Sequence, residues 1–424
     1  MSKSTAEQRA AHALDALNFF LADVRGGLGP YLAVYLLTVR NWNEAQIGVV
    51  MSIAGIAGIL AQTPSGALVD AVRGTRTLVA IAAIAVVAGS VVLPLLSAFW
   101  PVAASQAAVH ATASIFGPAI AAISLGLVGH ARLARRIGRN EAFNHAGNAF
   151  AAAIAGAGAY FVGPVVVFML IGAMAAASLI SVLMVPAVAI DHARARGLHD
   201  GDDTNAEQPS GYRVLLTCRP LLIFASCAVL FHFANAAMLP LVGQKLALQD
   251  TKIGTSLMSA CIVAAQIVMV PMAMLVGRKA DSWGRKPLFI AGFLILPIRG
   301  VLYIFSDNPY WLVGVQLLDG VGAGLYGALF PLIVADLMEG TGRFNVAQGA
   351  VITAQEIGAS LSTTLAGVVV VAAGYSAAFL TLAVIAAAGL ILFALAMPET
   401  WVARTSKQHQ QHPLPAPEPA RGGS

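Results

Sequence analysis

Long unbroken apolar runs, separated by short polar connections, set the pattern of this chain. They fall at roughly 14–37, 46–68, 77–98, 102–128, 142–162 and 165–187, then at 220–243, 253–276, 287–306, 310–335, 345–371 and 376–397. About 20 mostly apolar residues are needed to cross a bilayer as a helix. None of the runs alternates polar and apolar positions with a period of two, which argues against a membrane barrel. In lipid each backbone polar group must find its partner inside the protein, so the runs predict helices. The pattern therefore predicts an all-α membrane protein of about twelve transmembrane helices. One long polar stretch, Asp191 to Arg213 (DHARARGLHDGDDTNAEQPSGYR), interrupts it. That break predicts two pseudo-symmetric six-helix bundles, 1–190 and 220–400, with a linker over 191–219. Residues 401–424 are polar and proline-rich and read as a disordered tail. Its His409 and His412 read as solvated residues rather than a metal site.

Composition agrees. Hydrophobic residues make up 58% and charged residues 11% of the 424 positions, against about 25% charged in a soluble domain. So few charges cannot cover a water-facing surface. The formal charge of +5 would in a soluble protein suggest nucleic acid, but here the basic residues occupy short loops. On one side fall Arg73, Arg76, Arg132, Arg135, Arg136, Arg139, Arg194, Arg196, Arg213, Arg219, Arg278, Lys279, Arg285, Lys286 and Arg343, together with both termini. The opposite loops hold only Arg40, Lys245 and Lys252. The positive-inside rule then places the termini and the linker in the cytoplasm. Trp42, Trp100, Trp283, Trp311 and Trp401 all fall at span ends, where an amphipathic ring prefers to sit. The polar start followed by a long run predicts no cleavable signal. Cys218, Cys227 and Cys261 have no metal or disulfide spacing and read as packing residues. No Walker loop, metal-ligand cluster or nucleophile–base pair stands out, so neither an enzyme nor a cofactor is expected.

Two loops repeat. After the second run stands Gly66-Ala-Leu-Val-Asp70-Ala-Val-Arg73-Gly74-Thr-Arg76, and after the eighth Gly277-Arg-Lys-Ala-Asp281-Ser-Trp-Gly284-Arg285-Lys286. Matching places in two halves are the trace of a duplicated transporter. Both loops resemble the hallmark G-x-L-x-D-x-x-G-R-K loop of the major facilitator superfamily. The second copy matches at Gly277, Asp281, Gly284, Arg285 and Lys286, with Lys279 in place of Leu. The first matches at Gly66, Leu68 and Asp70, and then carries Arg73 where Gly is expected. The resemblance implies a secondary transporter working by alternating access, with a cavity between the halves lined by spans 1, 4, 7 and 10. It also implies a cytoplasmic latch of Asp70 and Asp281 with Arg73, Arg76, Arg285 and Lys286. An aspartate at such a boundary can accept from the exposed N–H groups of a neighbouring helix N-terminus. Simple loop charge is the competing reading.

Ionisable groups inside the membrane are costly and mark routes or partners. Asp23 and Arg25 sit in the first span, His110 in the fourth, His232 in the seventh, Asp319 in the tenth and Glu356 in the eleventh. These are the candidates for proton coupling or substrate binding. Asp23 and Glu356 are the first candidates for the proton. Asp319 reads equally as part of a glycine packing seam, the histidines as buried packing residues, and Arg299 as a structural partner for an acid. Gln62, Gln266, Asn18 and Asn235 could add hydrogen bonds. Asp336 and Glu339 belong with the gate. The expected activity is proton-coupled efflux of a small organic molecule, by a monomer in the bacterial inner membrane. Proton-coupled uptake of a metabolite or metal chelate, and a non-transporting receptor or scaffold, stand as alternatives.

Overall fold

The computed structural model describes residues 3–25, 32, 36, 40–42, 44–161, 166–198, 211–249 and 251–401. The side chains of Asp23 and Arg25, and the tail beyond Trp401, lie outside the described residues. The long helices are α1 (Lys3–Arg25), α2 (Glu44–Ala71), α3 (Thr75–Val92), α4 (Phe99–Ala113), α5 (Phe116–Val128), α6 (His130–Phe161) and α7 (Val166–Met184). Two single turns follow in the linker, α8 (His192–Ala195) and α9 (Val214–Thr217). The second half holds α10 (Arg219–Asn235), α11 (Met238–Gln249), α12 (Thr251–Trp283), α13 (Arg285–Leu302), α14 (Pro309–Leu337) and α15 (Phe344–Ala396). No strand occurs among the described residues.

Seven described stretches are long and apolar enough to cross a membrane, the last being the whole of α15. That helix contains two crossings. Gly374, at φ +82°, takes a left-handed conformation that only glycine adopts without strain, and the chain turns back there. Two expected spans are bent rather than straight. The fourth breaks at Ser114 between α4 and α5, and the seventh at Ala236 between α10 and α11. At the second break the Ala237 N–H, released from the helix ladder, donates to Ser362 Oγ at 3.0 Å. A buried amide without such a partner would be costly. At the start of α14, Pro309 has no N–H that needs an acceptor, and Asn308 Oδ1 accepts from Tyr310 N at 2.9 Å, which starts the helix sharply.

In the first bundle α1 packs on α6 and α7, α3 on α7, and α2 on α4; in the second, α10 and α13 pack on α15, and α12 and α13 on α14. Phe224, Phe231, Phe289, Phe293 and Phe393 fill the core of the second bundle. The outward surface is apolar, with Leu60, Ile81, Val371 and Leu395 all more than half exposed. Such a surface would aggregate in water and matches lipid. The bundles meet along two seams, α2 against α15 and α6 against α12.

Candidate functional site

Both seams are closed at the face that carries the linker. A Cβ on Gly138 of α6 would stand 2.5 Å from Ala273 O and 2.6 Å from Gly277 Cα of α12. On the other seam, a Cβ on Gly66 would stand 2.2 Å from Asn345 O, and one on Gly349 2.4 Å from Gln62 O. Glycine lets the backbones touch here, and no other residue fits without moving a helix. Above these contacts each seam carries one polar bridge between the halves. Thr63 and Thr353 hydroxyls meet at 3.0 Å, and His145 Nδ1 lies 2.8 Å from Gln266 Oε1.

Asp70 closes the same face. It ends α2, is 4% exposed, and directs both oxygens at the first turn of α15. Val346 N donates to Oδ2 at 2.9 Å, and Asn345 Nδ2 and N donate to Oδ1 at 2.7 and 3.4 Å. A carboxylate at a helix N-terminus satisfies donors that the helix cannot and meets the positive end of its dipole. Arg73 and Arg76 take no part in this contact. Arg73 is exposed, and Arg76 donates to the carbonyls of Val185 at 2.8 Å and Leu183 at 3.4 Å, at the end of α7.

The second motif copy behaves differently. Arg285 is buried and pairs with Asp281 at 2.6 Å and with Asp336 at 3.1 Å, all within the second bundle. The N-terminus of α13 is capped by Glu399, which accepts from Arg285 N at 2.9 Å and Lys286 N at 3.0 Å. Gly284 turns into this helix at φ +89°. Trp401 covers the Arg285 guanidinium at 4.2 Å. Asp336 thus contacts the second motif copy, and Glu339 lies 4.0 Å from His130.

The deep polar groups sort into three sets. Asp319 pairs with Arg299, whose guanidinium also donates to Asn235 Oδ1 at 2.5 Å, while Gln316 donates to Asp319 Oδ2 at 2.9 Å. A matching set in the first bundle joins Asp15 to Arg136 and Arg139, and Arg136 to Asn140 at 2.8 Å. These are closed, mutually satisfied networks. The third set borders the seams. The Tyr326 hydroxyl donates to Gln355 Oε1 at 3.1 Å, and Gln355 Nε2 lies 3.5 Å from Glu356 Oε1. The His232 ring stands edge-on to Tyr326 at 4.8 Å, and its Nδ1 lies 3.2 Å from Ala228 O. From the other bundle, Glu141 accepts from Asn144 at 3.2 Å and lies 4.0 Å from His145. A Cβ on Gly327, next to Tyr326, would be 4.0 Å from Glu141 Oε2. His110 lies instead against α2, its Cβ 3.6 Å from where a Gly58 side chain would begin.

The structure thus brings Glu356 and His232 to one region and separates Asp319 and His110 from it. Asp15, Glu141, His145 and Tyr326 escaped the sequence reading. Glu141 and His145 stand four apart on one helical face, but Glu141 falls one residue before the 142–162 run and His145 just inside it, beside the loop arginines. The helix begins at His130, a dozen residues before the apolar run.

Comparison with known proteins agrees with the fold. The family model described as Major Facilitator Superfamily matches residues 14–279 and 221–421. An uncharacterised MFS-type transporter of Mycobacterium tuberculosis is 57% identical over 392 residues, covering 92% of this chain and 94% of that protein. Among solved structures, the proton:xylose symporter XylE superposes with a TM-score of 0.73 at 14% identity, covering 94% of this chain and 97% of that one. The human organic anion transporter MFSD10 gives 0.66 at 16%, with 91% and 99% covered. The chain belongs to the Major Facilitator Superfamily, whose members are multi-pass membrane transporters of small molecules and not enzymes.

Proposed function

We propose that this transporter exports a small organic molecule in exchange for protons, by alternating access across a bacterial inner membrane. The observation that carries the reading is the closure of the linker face by noncovalent contacts between the bundles. Asp70 on the α15 N-terminus and the two glycine seams join the bundles, and buried apolar residues of the first bundle such as Leu125 and Ile137 pack in one cluster with those of the second. Contacts of that kind form a bistable gate. The arginine-rich loops beside it support a cytoplasmic location for this face.

Glu356 is the proposed proton carrier. It lies inside the second bundle beside Gln355, and no salt bridge holds it among the described residues. An acid with neutral partners can bind and release a proton without breaking an ion pair. Asp23 is the second proposed carrier, and Arg25 a proposed partner for it or for an anionic group. The aromatic wall of Phe231, His232 and Tyr326 supports an amphipathic cargo. His110 and Asp319 are not proposed to touch it.

Everted vesicles made acid inside by respiration test this, with ethidium as an amphipathic probe. Export predicts concentrative uptake into these vesicles that a protonophore abolishes, and loss of at least tenfold in Glu356→Gln, the scale of one removed general-acid group. If Glu356→Gln and Asp23→Asn both still concentrate ethidium, neither acid carries the proton. Concentration only in right-side-out vesicles would reverse the direction.

A further inference from the structure

The first turn of the linker lies directly on the gate. Asp191 anchors it to the first bundle, its N–H donating to Gly126 O at the end of α5 at 3.1 Å. The Asp191 side chain then accepts from Ala193 N at 2.9 Å and Arg194 N at 3.1 Å, which fixes the turn α8. Gly197 follows at φ +86°. This turn aims three successive carbonyls at the α14–α15 loop and the first turn of α15 in the other bundle. Ala195 O accepts from Asn345 Nδ2 at 2.9 Å, Arg196 O from Phe344 N at 3.3 Å, and Gly197 O from Gly340 N at 2.6 Å.

Asn345 is the shared element. It is fully buried, at 0% exposed, and its amide donates to Asp70 Oδ1 as well as to Ala195 O. A carboxylate and a carbonyl both accept, so only the amide nitrogen can face the two together. One side chain therefore ties α2, α15 and the linker at a single point.

We propose that linker residues 195–197 are a third component of the gate, with Asn345 as the positioning residue that pins them and Gly197 as the turn that aims them. The linker is then more than a tether. Each opening of this face must release its three carbonyls together with Asp70. This rests on the reading that the face opens and closes.

The test places a reporter cysteine behind the gate, Thr353→Cys, in a Cys218→Ser background; Cys227 and Cys261 are fully buried. Sealed vesicles are labelled from the linker face with a membrane-impermeant maleimide. In a mostly closed protein the labelling rate follows the open fraction. Loss of one or two gate hydrogen bonds should raise it about five- to thirtyfold. That rise is expected for Asn345→Ala, and for Gly197→Ala, which replaces neither Asp70 nor its hydrogen-bond partners and whose Cβ would press on Phe344 at 3.2 Å. Gly197→Asn should rise less, because asparagine tolerates positive φ better than alanine, and it carries the test if Gly197→Ala does not fold. If Asp70→Asn raises labelling while the Gly197 and Asn345 variants stay within about twofold of the parent, the linker is a bystander and the proposal falls, with the Asp70 gate intact. If Asp70→Asn also changes nothing, the gate reading itself falls, and the proposal with it.

Discussion

Arg299 has no solvent contact, and Asp319 is the charge that makes its burial tolerable. Removing one partner of a buried pair leaves an uncompensated charge, at a cost of about 3–5 kcal/mol, whereas removing both costs far less. Asp319→Ala should therefore lower the thermal unfolding midpoint of the purified protein strongly. The double variant with Arg299→Leu should recover most of the loss. Recovery of stability without recovery of transport would return Asp319 to the substrate route. The two residues stand 20 apart on different helices, and a sequence shows depth in the membrane but not which face of a helix a side chain takes. For that reason Asp319 was legible as an intramembrane charge and Arg299 as a partner for some acid, but not that the two would meet. The same gap concealed the bond from His145 to Gln266, two residues that only tertiary packing brings together.

At the scale of elements, the closed face depends on helices that approach to backbone distance. Any side chain at Gly138 would press on Ala273 O and Gly277 of α12. Overpacking of this kind costs about 1–3 kcal/mol, and here the halves can relieve it by separating. Gly138→Ala should shift the population toward the open linker face, and Gly138→Val further. Spin labels at the exposed positions Arg132 and Arg278, on the two seam helices, would report the shift as a longer distance. Gly172, with nothing within 4 Å of its Cβ position, is the control and should leave the distance unchanged. The helices themselves were readable, because hydropathy and length fix a span with little help from tertiary contacts. Their breaks were only half marked. Ser114 and Ala236 each stand four residues before a proline, Pro118 and Pro240, whose ring displaces that carbonyl; Pro64 and Pro331 stand inside unbroken helices, and Ser362, the partner that permits the second break, lies over a hundred residues away.

Across the whole molecule, the duplicated motif has diverged in use. The second copy is the better match by letter; its Gly277 lies against Gly138 of the other bundle, but its charged residues pair inside their own bundle, Arg285 with Asp281 and Asp336. The first copy has lost its glycine to Arg73, and its aspartate nevertheless joins the two bundles. The substitution is tolerated because Asp70 meets α15 rather than the loop that follows it. Repetition in the sequence showed two matching loops; which of the two aspartates reaches the other half is set by packing. The chemistry of the two aspartates then predicts unequal effects. Asp70 is buried and caps a helix across the gate, so Asp70→Asn should cost the closed state about 1–2 kcal/mol, the worth of a cap with its dipole contribution. Asp281 is 39% exposed, and its buried partner Arg285 keeps Asp336 as a second acid, so the loss of Asp281 costs about 0–1 kcal/mol, none of it across the seams. Hydrogen exchange at the first turn of α15, over Asn345 to Gln348, separates the two. Asp70→Asn should speed exchange there about five- to thirtyfold, and Asp281→Asn should leave it at the parent rate. Equal loss of protection in both variants would mean that the two loops act as one symmetric latch, and that the division of labour seen in the closed state does not persist when the protein moves.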